Sequence, residues 1–175
     1  MSGSKPSSYI SEILNEEHDV GGFECGKPGL DEWLRRSAAS SDGRNITRTH
    51  VWTQRNDKTR AVVAYFTTMP YLIERETLGK SEGRGLSDHV PCYLLARLAL
   101  DQSLHGRQLG TVLLAEALRR MAVSAAGVGG RLIVVDAIDD DAASFYQRHG
   151  FEPLPKFPSR LTLRMKDLLK ALPDT

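Results

Sequence analysis

Apolar positions along the chain fall in short blocks whose spacing switches between that of helices and that of strands. Pro28 suits a first helical turn, and Leu30, Trp33 and Leu34 follow at helical spacing, with Arg35 and Arg36 beyond them; this predicts an amphipathic helix with a basic end. Thr49-His50-Val51-Trp52-Thr53 alternates and is rich in β-branched and aromatic residues. Arg55-Asn56-Asp57-Lys58 then reads as a turn into Ala61-Val62-Val63-Ala64-Tyr65-Phe66, so the pair predicts a β-hairpin. Between Glu74 and His89 the chain is polar and carries Gly79, Gly83 and Gly85, the pattern of an exposed, mobile loop suited to gripping a substrate.

The second half repeats a strand–turn–helix order. Tyr93 to Leu100 is a short apolar run of strand length, and Leu109, Val112, Leu113, Ala117, Leu118 and Met121 mark a long amphipathic helix after the turn at His105-Gly106-Arg107. Arg131 to Ala137 predicts a second buried strand, and Asp139-Asp140-Asp141 supplies the acidic residues favoured where a helix begins. That helix ends at His149-Gly150, Phe151 opens a return strand, and Leu161-Thr162-Leu163-Arg164-Met165 alternates as the last one. The expected fold is α/β, a mixed central sheet flanked by helices, as one domain over residues 9–172 after a flexible N-terminus at residues 1–8.

Composition narrows the classes. A chain of 175 residues with 41% hydrophobic and 26% charged residues is long enough and apolar enough to bury a core, unlike a disordered segment. No apolar run approaches the ~20 residues of a membrane helix, so a cytoplasmic protein is expected. Cys25 and Cys92 lack metal-ligand spacing and read as two buried thiols. His50, His89, His105 and His149 show no such spacing either, and no metal is expected. Net charge is only +1, yet from Lys27 to Arg60 eight basic residues face four acidic ones, whereas Met1 to Gly26 has Lys5 against five acidic residues. Uneven charge of this kind points to a basic surface on part of the molecule.

The strongest site signal is a strand ending at Leu100, the turn His105-Gly106-Arg107-Gln108-Leu109-Gly110-Thr111, and the helix beginning there. Backbone N–H groups at a helix N-terminus hold a pyrophosphate well, and glycine lets that backbone come close. Three stretches in order, Leu95 to Leu100, His105 to Gly110, and Ala143-Ser144-Phe145-Tyr146-Gln147-Arg148-His149-Gly150-Phe151, resemble the GNAT acetyltransferases. The likeness extends from Phe23-Glu24-Cys25 and Leu30 to Leu34 through Leu161, and the chain is similar to the GNAT toxins of bacterial toxin–antitoxin pairs.

This resemblance implies acetyl transfer from acetyl-CoA to the α-amino group of aminoacyl-tRNA, and hence blocked translation. It implies backbone contacts from Leu98, Ala99 and Leu100 to the pantetheine arm, and phosphate contacts from His105, Gly106, Arg107, Gln108, Leu109, Gly110 and Thr111. Phe145 is placed with the cofactor contacts, and Tyr146 as the acid that protonates the departing sulfur. A ribbon–helix–helix antitoxin and a homodimer are implied as well. The chain departs from the family's phosphate loop, which begins with Gln or Arg and has glycine at its fourth and sixth positions; here these are His105, Gln108 and Gly110. For an RNA acceptor, Lys27, Arg35, Arg36, Arg44, Arg48 and Arg97 are the available cations, and Arg97 stands out as a charge inside an apolar strand. Two other readings share these residues: acetylation of a small amine or a protein N-terminus, and a non-catalytic acyl-CoA sensor or nucleic-acid-binding module.

Overall fold

The computed structural model describes residues 8–172, so the terminus expected to be flexible lies, but for Ser8, outside the described residues. Strand β1 (Tyr9–Ile13) pairs antiparallel with β2 (Arg48–Gln54), Tyr9 opposite Gln54 and Ile13 opposite His50. Between them lie helices α1 (Pro28–Arg36) and α2 (Ala38–Gly43). The chain continues through β3 (Val62–Glu74), β4 (His89–Leu100), α3 (Leu109–Val128), β5 (Leu132–Asp136), α4 (Asp140–Arg148), β6 (Glu152–Pro153), β7 (Arg160–Arg164) and α5 (Met165–Ala171). The sheet runs in the order β1-β2-β3-β4-β5-β7-β6. It is mixed: β4 and β5 are parallel, with Cys92 to Leu95 opposite Leu132 to Val135, whereas β5–β7 and β6–β7 are antiparallel.

The described residues pack as two compact units, one of residues 8–67 with 97–115, the other of 68–96 with 116–172. In the first unit Phe23, Leu34, Ala38, Val51, Val62, Tyr65 and Ala99 share a core. The hairpin strand β2 reads as alternating, yet Thr49 to Thr53 are all buried. The reason is hydrogen bonding. Asp42 of α2, itself buried, accepts from the Thr47 hydroxyl at 2.7 Å, the Thr49 N–H at 2.8 Å and the Thr49 hydroxyl at 3.1 Å. The Thr49 hydroxyl also lies 3.0 Å from that of Thr67. A sheet position can thus be polar and covered at once when every group has a partner.

The second unit centres on Ile73, Val90, Cys92, Leu132, Val134 and Leu154. The glycine-bearing stretch before β4 is more tied down than its composition foretells: Arg75 pairs with Asp88 at 2.9 Å and donates to the Leu86 carbonyl at 2.8 Å, and Leu78 is buried. Asp139 caps α4, accepting from the Ala142 N–H at 2.8 Å, and Gly150 ends it at φ 92°, a left-handed conformation that costs a side chain energy but glycine little. Both cysteines are buried and free. No helix of the described residues is long and apolar enough to cross a membrane.

The Asp42 contacts fix α2 onto β2, and their loss leaves the buried Thr49 N–H without its acceptor and removes one hydrogen bond from each of two hydroxyls. Asp42→Ala is expected to cost about 2–4 kcal/mol in urea unfolding. Breaking the exposed Arg36–Glu32 pair, 3.1 Å apart, is expected to cost less than about 0.5 kcal/mol. The reverse ranking would contradict this assignment.

Candidate active site

Strand β4 runs to Leu100, whereas its parallel partner β5 ends at Asp136, next in register to Ala96 after the Leu95–Val135 pair. Past that point β5 offers β4 no partner, so the backbone of Arg97 to Leu100 on that side is available to a ligand's amides. Asp101 stops the strand. Its own N–H donates to the Val63 carbonyl at 2.8 Å, and its carboxylate accepts from the Glu24 N–H at 3.0 Å and from the Ser103 N–H and hydroxyl at 3.0 and 2.7 Å. Burial alone would push the Asp101 carboxyl up, but these hydrogen bonds outweigh it and hold the group below the usual carboxylate range.

A short 3₁₀ turn, Gln102–Leu104, then leads to the loop before α3. The His105 ring donates from Nε2 to the Leu100 carbonyl at 2.9 Å, which ties the loop to the strand end. Gly106 takes φ 78° and Gln108 φ 57°. Gln108 therefore adopts the left-handed backbone for which glycine is the usual choice. A Cβ on Gly106 would meet nothing within 4 Å, so the space above it is open to a ligand. Among the described residues no turn or loop carbonyl accepts from the N–H groups of Gly106 to Gly110. Those groups and the first turn of α3 form a concave set of donors at a positive helix end, which suits a pyrophosphate. His105, Gly106, Arg107 and Gln108 are exposed, Leu109, Gly110, Leu98 and Leu100 half-buried, Thr111 exposed, and Ala99 buried.

In the second unit Tyr146, on α4, is 8% exposed and wedged edge-on between Phe145 and Phe151, with ring centroids 5.3 and 5.4 Å away. Its carbonyl accepts from the N–H groups of His149 and Phe151 at 3.0 and 3.1 Å. Burial pushes the phenol up to about 12. Among the described residues its hydroxyl has no hydrogen-bond partner, and it is not among the sealed polar atoms. A proton is thus held firmly on an oxygen that a ligand can reach. Phe145 is half-buried and packs also on His149, whose Nδ1 lies 2.7 Å from the Phe145 carbonyl at the helix end.

The expected RNA-facing cations divide. Arg35 donates to the Phe23 carbonyl at 2.8 Å and Arg36 pairs with Glu32. Arg48 reaches Asn45 Oδ1 at 3.2 Å, and Arg35 and Arg48 line one cavity of about 430 Å³ with His18 and Asp42. Lys27 stands at the N-cap of α1 and Arg44 at the C-cap of α2, both exposed. Arg60, outside that set, is bound by Glu12 and Glu17, so the acidic first segment neutralises part of the basic stretch.

Residues 48–153 match the acetyltransferase (GNAT) domain family, and this span is more than half of the chain. The chain belongs to the GNAT acetyltransferases. It is 34% identical over 161 residues, covering 92% of this chain and 95% of the other, to a tRNA-acetylating toxin of Mycobacterium tuberculosis (strain ATCC 25618 / H37Rv). Its fold is similar to that of AtaT complexed with acetyl-methionyl-tRNAfMet, with a TM-score of 0.86 at 28% identity over 93% of this chain and 98% of that one. It is also similar to a variant of the AtaT toxin bound to the C-terminus of the antitoxin AtaR and acetyl-CoA, with a TM-score of 0.80 at 26% identity over 95% of this chain and all of that one.

Helices α1 and α2 lie outside the matched GNAT span; Arg35 and Arg36 stand within α1, while Lys27 and Arg44 flank the two helices at the N-cap of α1 and the C-cap of α2. Asp101, which no periodicity in the sequence marks, organises the loop before α3; its signal is the Asp-x-Ser pattern of Asp101-Gln102-Ser103, typical of a side-chain turn. Because Gln108 sits in left-handed backbone, Gln108→Gly is expected to raise stability by about 0.5–1 kcal/mol and Gln108→Ile to lower it by more, as measured by thermal unfolding. Destabilisation by glycine would contradict the strained geometry.

Proposed function

We propose that this protein transfers the acetyl group of acetyl-CoA to the α-amino group of aminoacyl-tRNA, with Tyr146 as general acid, and so blocks translation. The observation that carries this reading is the likeness to a tRNA-acetylating toxin across nearly the whole chain, α1 and α2 included. Likeness to AtaT in complex with an acetylated aminoacyl-tRNA supports the acceptor, and the AtaT complex with acetyl-CoA supports the donor. The Gly106 to Thr111 backbone and the α3 dipole hold the donor's phosphates, and the β4 backbone from Leu98 to Leu100 holds the pantetheine amides. The antitoxin complex of AtaT supports a small antitoxin partner, which we read as a ribbon–helix–helix protein acting on a homodimeric toxin in the cytoplasm, where charged tRNA is used.

The chemistry asks little of a base. An α-amine has a pKa near ~7.7–8.0, so an appreciable fraction is neutral at cellular pH, without the help a lysine at ~10.4 would need. The neutral nitrogen attacks the thioester carbonyl, the C–S bond breaks, the nitrogen gives its extra proton to water, and Tyr146 gives its hydroxyl proton to the sulfur. Proton affinities decide where that last step works. A thiol in water, near ~8.5, lies about 3.5 units below Tyr146, which makes transfer from the phenol uphill by roughly 5 kcal/mol. Burial closes that gap: it pushes the protein's own Cys25 and Cys92 thiols up to about 11. A CoA sulfur drawn out of water in the same way has its proton affinity raised toward that of Tyr146.

Tyr146→Phe removes the hydroxyl and keeps the packing on Phe145 and Phe151. The acetylation rate of charged tRNA is expected to fall about 10²–10⁴-fold with the melting temperature unchanged. Because the Tyr146 pKa is raised, the acid form persists, and the wild-type rate is expected to rise through the amine ionisation near ~8 with no descending limb up to about pH 9.5. An undiminished rate in the variant, or a limb falling in that range, would contradict the assignment of Tyr146.

A further inference from the structure

Strand β4 is apolar from Leu94 to Leu100 except at Arg97, and that guanidinium lies over Trp33 of α1, its Cζ 3.9 Å from the ring centroid. The mount is built from the core of the first unit. Trp33 stacks on Tyr65 with planes 15° apart and centroids at 6.2 Å, Tyr65 donates its hydroxyl proton to the Leu30 carbonyl at 2.8 Å, and Phe23 meets the Tyr65 ring edge-on at 5.4 Å. A cation held this way has lost much of its water, and burial pushes the Arg97 pKa down. Stacking returns only about 0.5–2 kcal/mol. The other partly buried arginines have oxygen partners: Arg60 has Glu12 and Glu17, and Arg160 has Asp136 at 2.7 Å. Arg97 has no carboxylate or carbonyl partner among the described residues. Five N–H donors on a rigid platform are left for a ligand.

The anion is fixed by chemistry, given the acceptor proposed above, on which this inference rests. The residues next in β4, Leu98 to Leu100, offer backbone to the neutral pantetheine amides, while the donor's phosphates fall to the loop before α3. In a charged tRNA the anion closest to the reacting amine is the phosphodiester on the 5′ side of the terminal nucleoside. We propose that Arg97, mounted on Trp33, binds that phosphodiester and so distinguishes an RNA-borne amine from a free one.

The test compares two small acceptors, a 3′-aminoacylamino-adenosine with and without a 5′-phosphate, each with acetyl-CoA and the full-length protein. The phosphate is expected to raise kcat/KM about tenfold or more in the wild type, the size of one charge-assisted contact. In Arg97→Met that ratio is expected to fall to about one, and in Arg97→Lys to an intermediate value, since lysine keeps the charge without the fork. The melting temperature of Arg97→Met is expected at or above that of the wild type, because a desolvated cation without an anion is removed. A ratio that persists in Arg97→Met, or a lower melting temperature with both acceptors slowed equally, would overturn the inference and leave the proposed function standing. A wild type that acetylates neither compound yet acetylates charged tRNA overturns the inference alone, while one that acetylates none of the three overturns both.

Discussion

The structure depends on one strand outrunning its neighbour. Strand β4 keeps parallel pairing with β5 only from Cys92 to Leu95, then continues to Leu100 after β5 has ended. Unpaired backbone inside a sheet is costly unless something else bonds it, and a substrate rich in amides is such a partner. The loop before α3 can form only if the strand stops at the right residue. Asp101 does this by binding the Glu24 and Ser103 N–H groups, and His105 then turns the chain back onto the Leu100 carbonyl. The loop so formed carries its N–H groups up to the start of α3, the place proposed for the donor's phosphates.

The same logic of withheld water recurs in the chemistry. In the proposed reaction Tyr146 is a poor acid toward a solvated thiolate, and it becomes a competent one only as the sulfur leaves water. The shift of the phenol and the shifts of the protein's buried thiols share their largest cause, desolvation, and they move in the same direction. Closeness of proton affinity, rather than a low pKa on the acid, is what the proposed reaction asks of this site.

Much of the fold was legible where side chains repeat with a period. The blocks around Leu30, Val51, Leu95, Leu113 and Val134 became α1, β2, β4, α3 and β5, and Asp139 and Gly150 bound α4 as their capping chemistry requires. The elements that were missed lack such a signal. Helix α2 reads Ala-Ala-Ser-Ser-Asp-Gly and is held by the Asp42 contacts to Thr47 and Thr49, which are tertiary. The apolar residues of β1 are few and it sits at the sheet edge, while α5 begins at Met165, which sequence alone assigned to the last strand. Strand β3 runs on through Pro70 to Glu74, past the Phe66 at which the sequence pattern ends. At the site, the motifs marked the loop and Tyr146. They could not reveal that Gln108 adopts a glycine-like backbone, nor that Arg97 rests on Trp33, because both facts lie in dihedral angles and long-range packing.

The central claim is that the acetyl group passes to the amino acid esterified on tRNA. The most direct measurement incubates the purified protein with acetyl-CoA labelled in the acetyl carbon and a total charged tRNA pool, with deacylated tRNA in parallel, and then releases the amino acids by alkaline hydrolysis. Label recovered as N-acetyl amino acid from the charged pool alone is the result predicted. Label that stays on the RNA after hydrolysis, appears equally on deacylated tRNA, or is found on no tRNA would contradict the account.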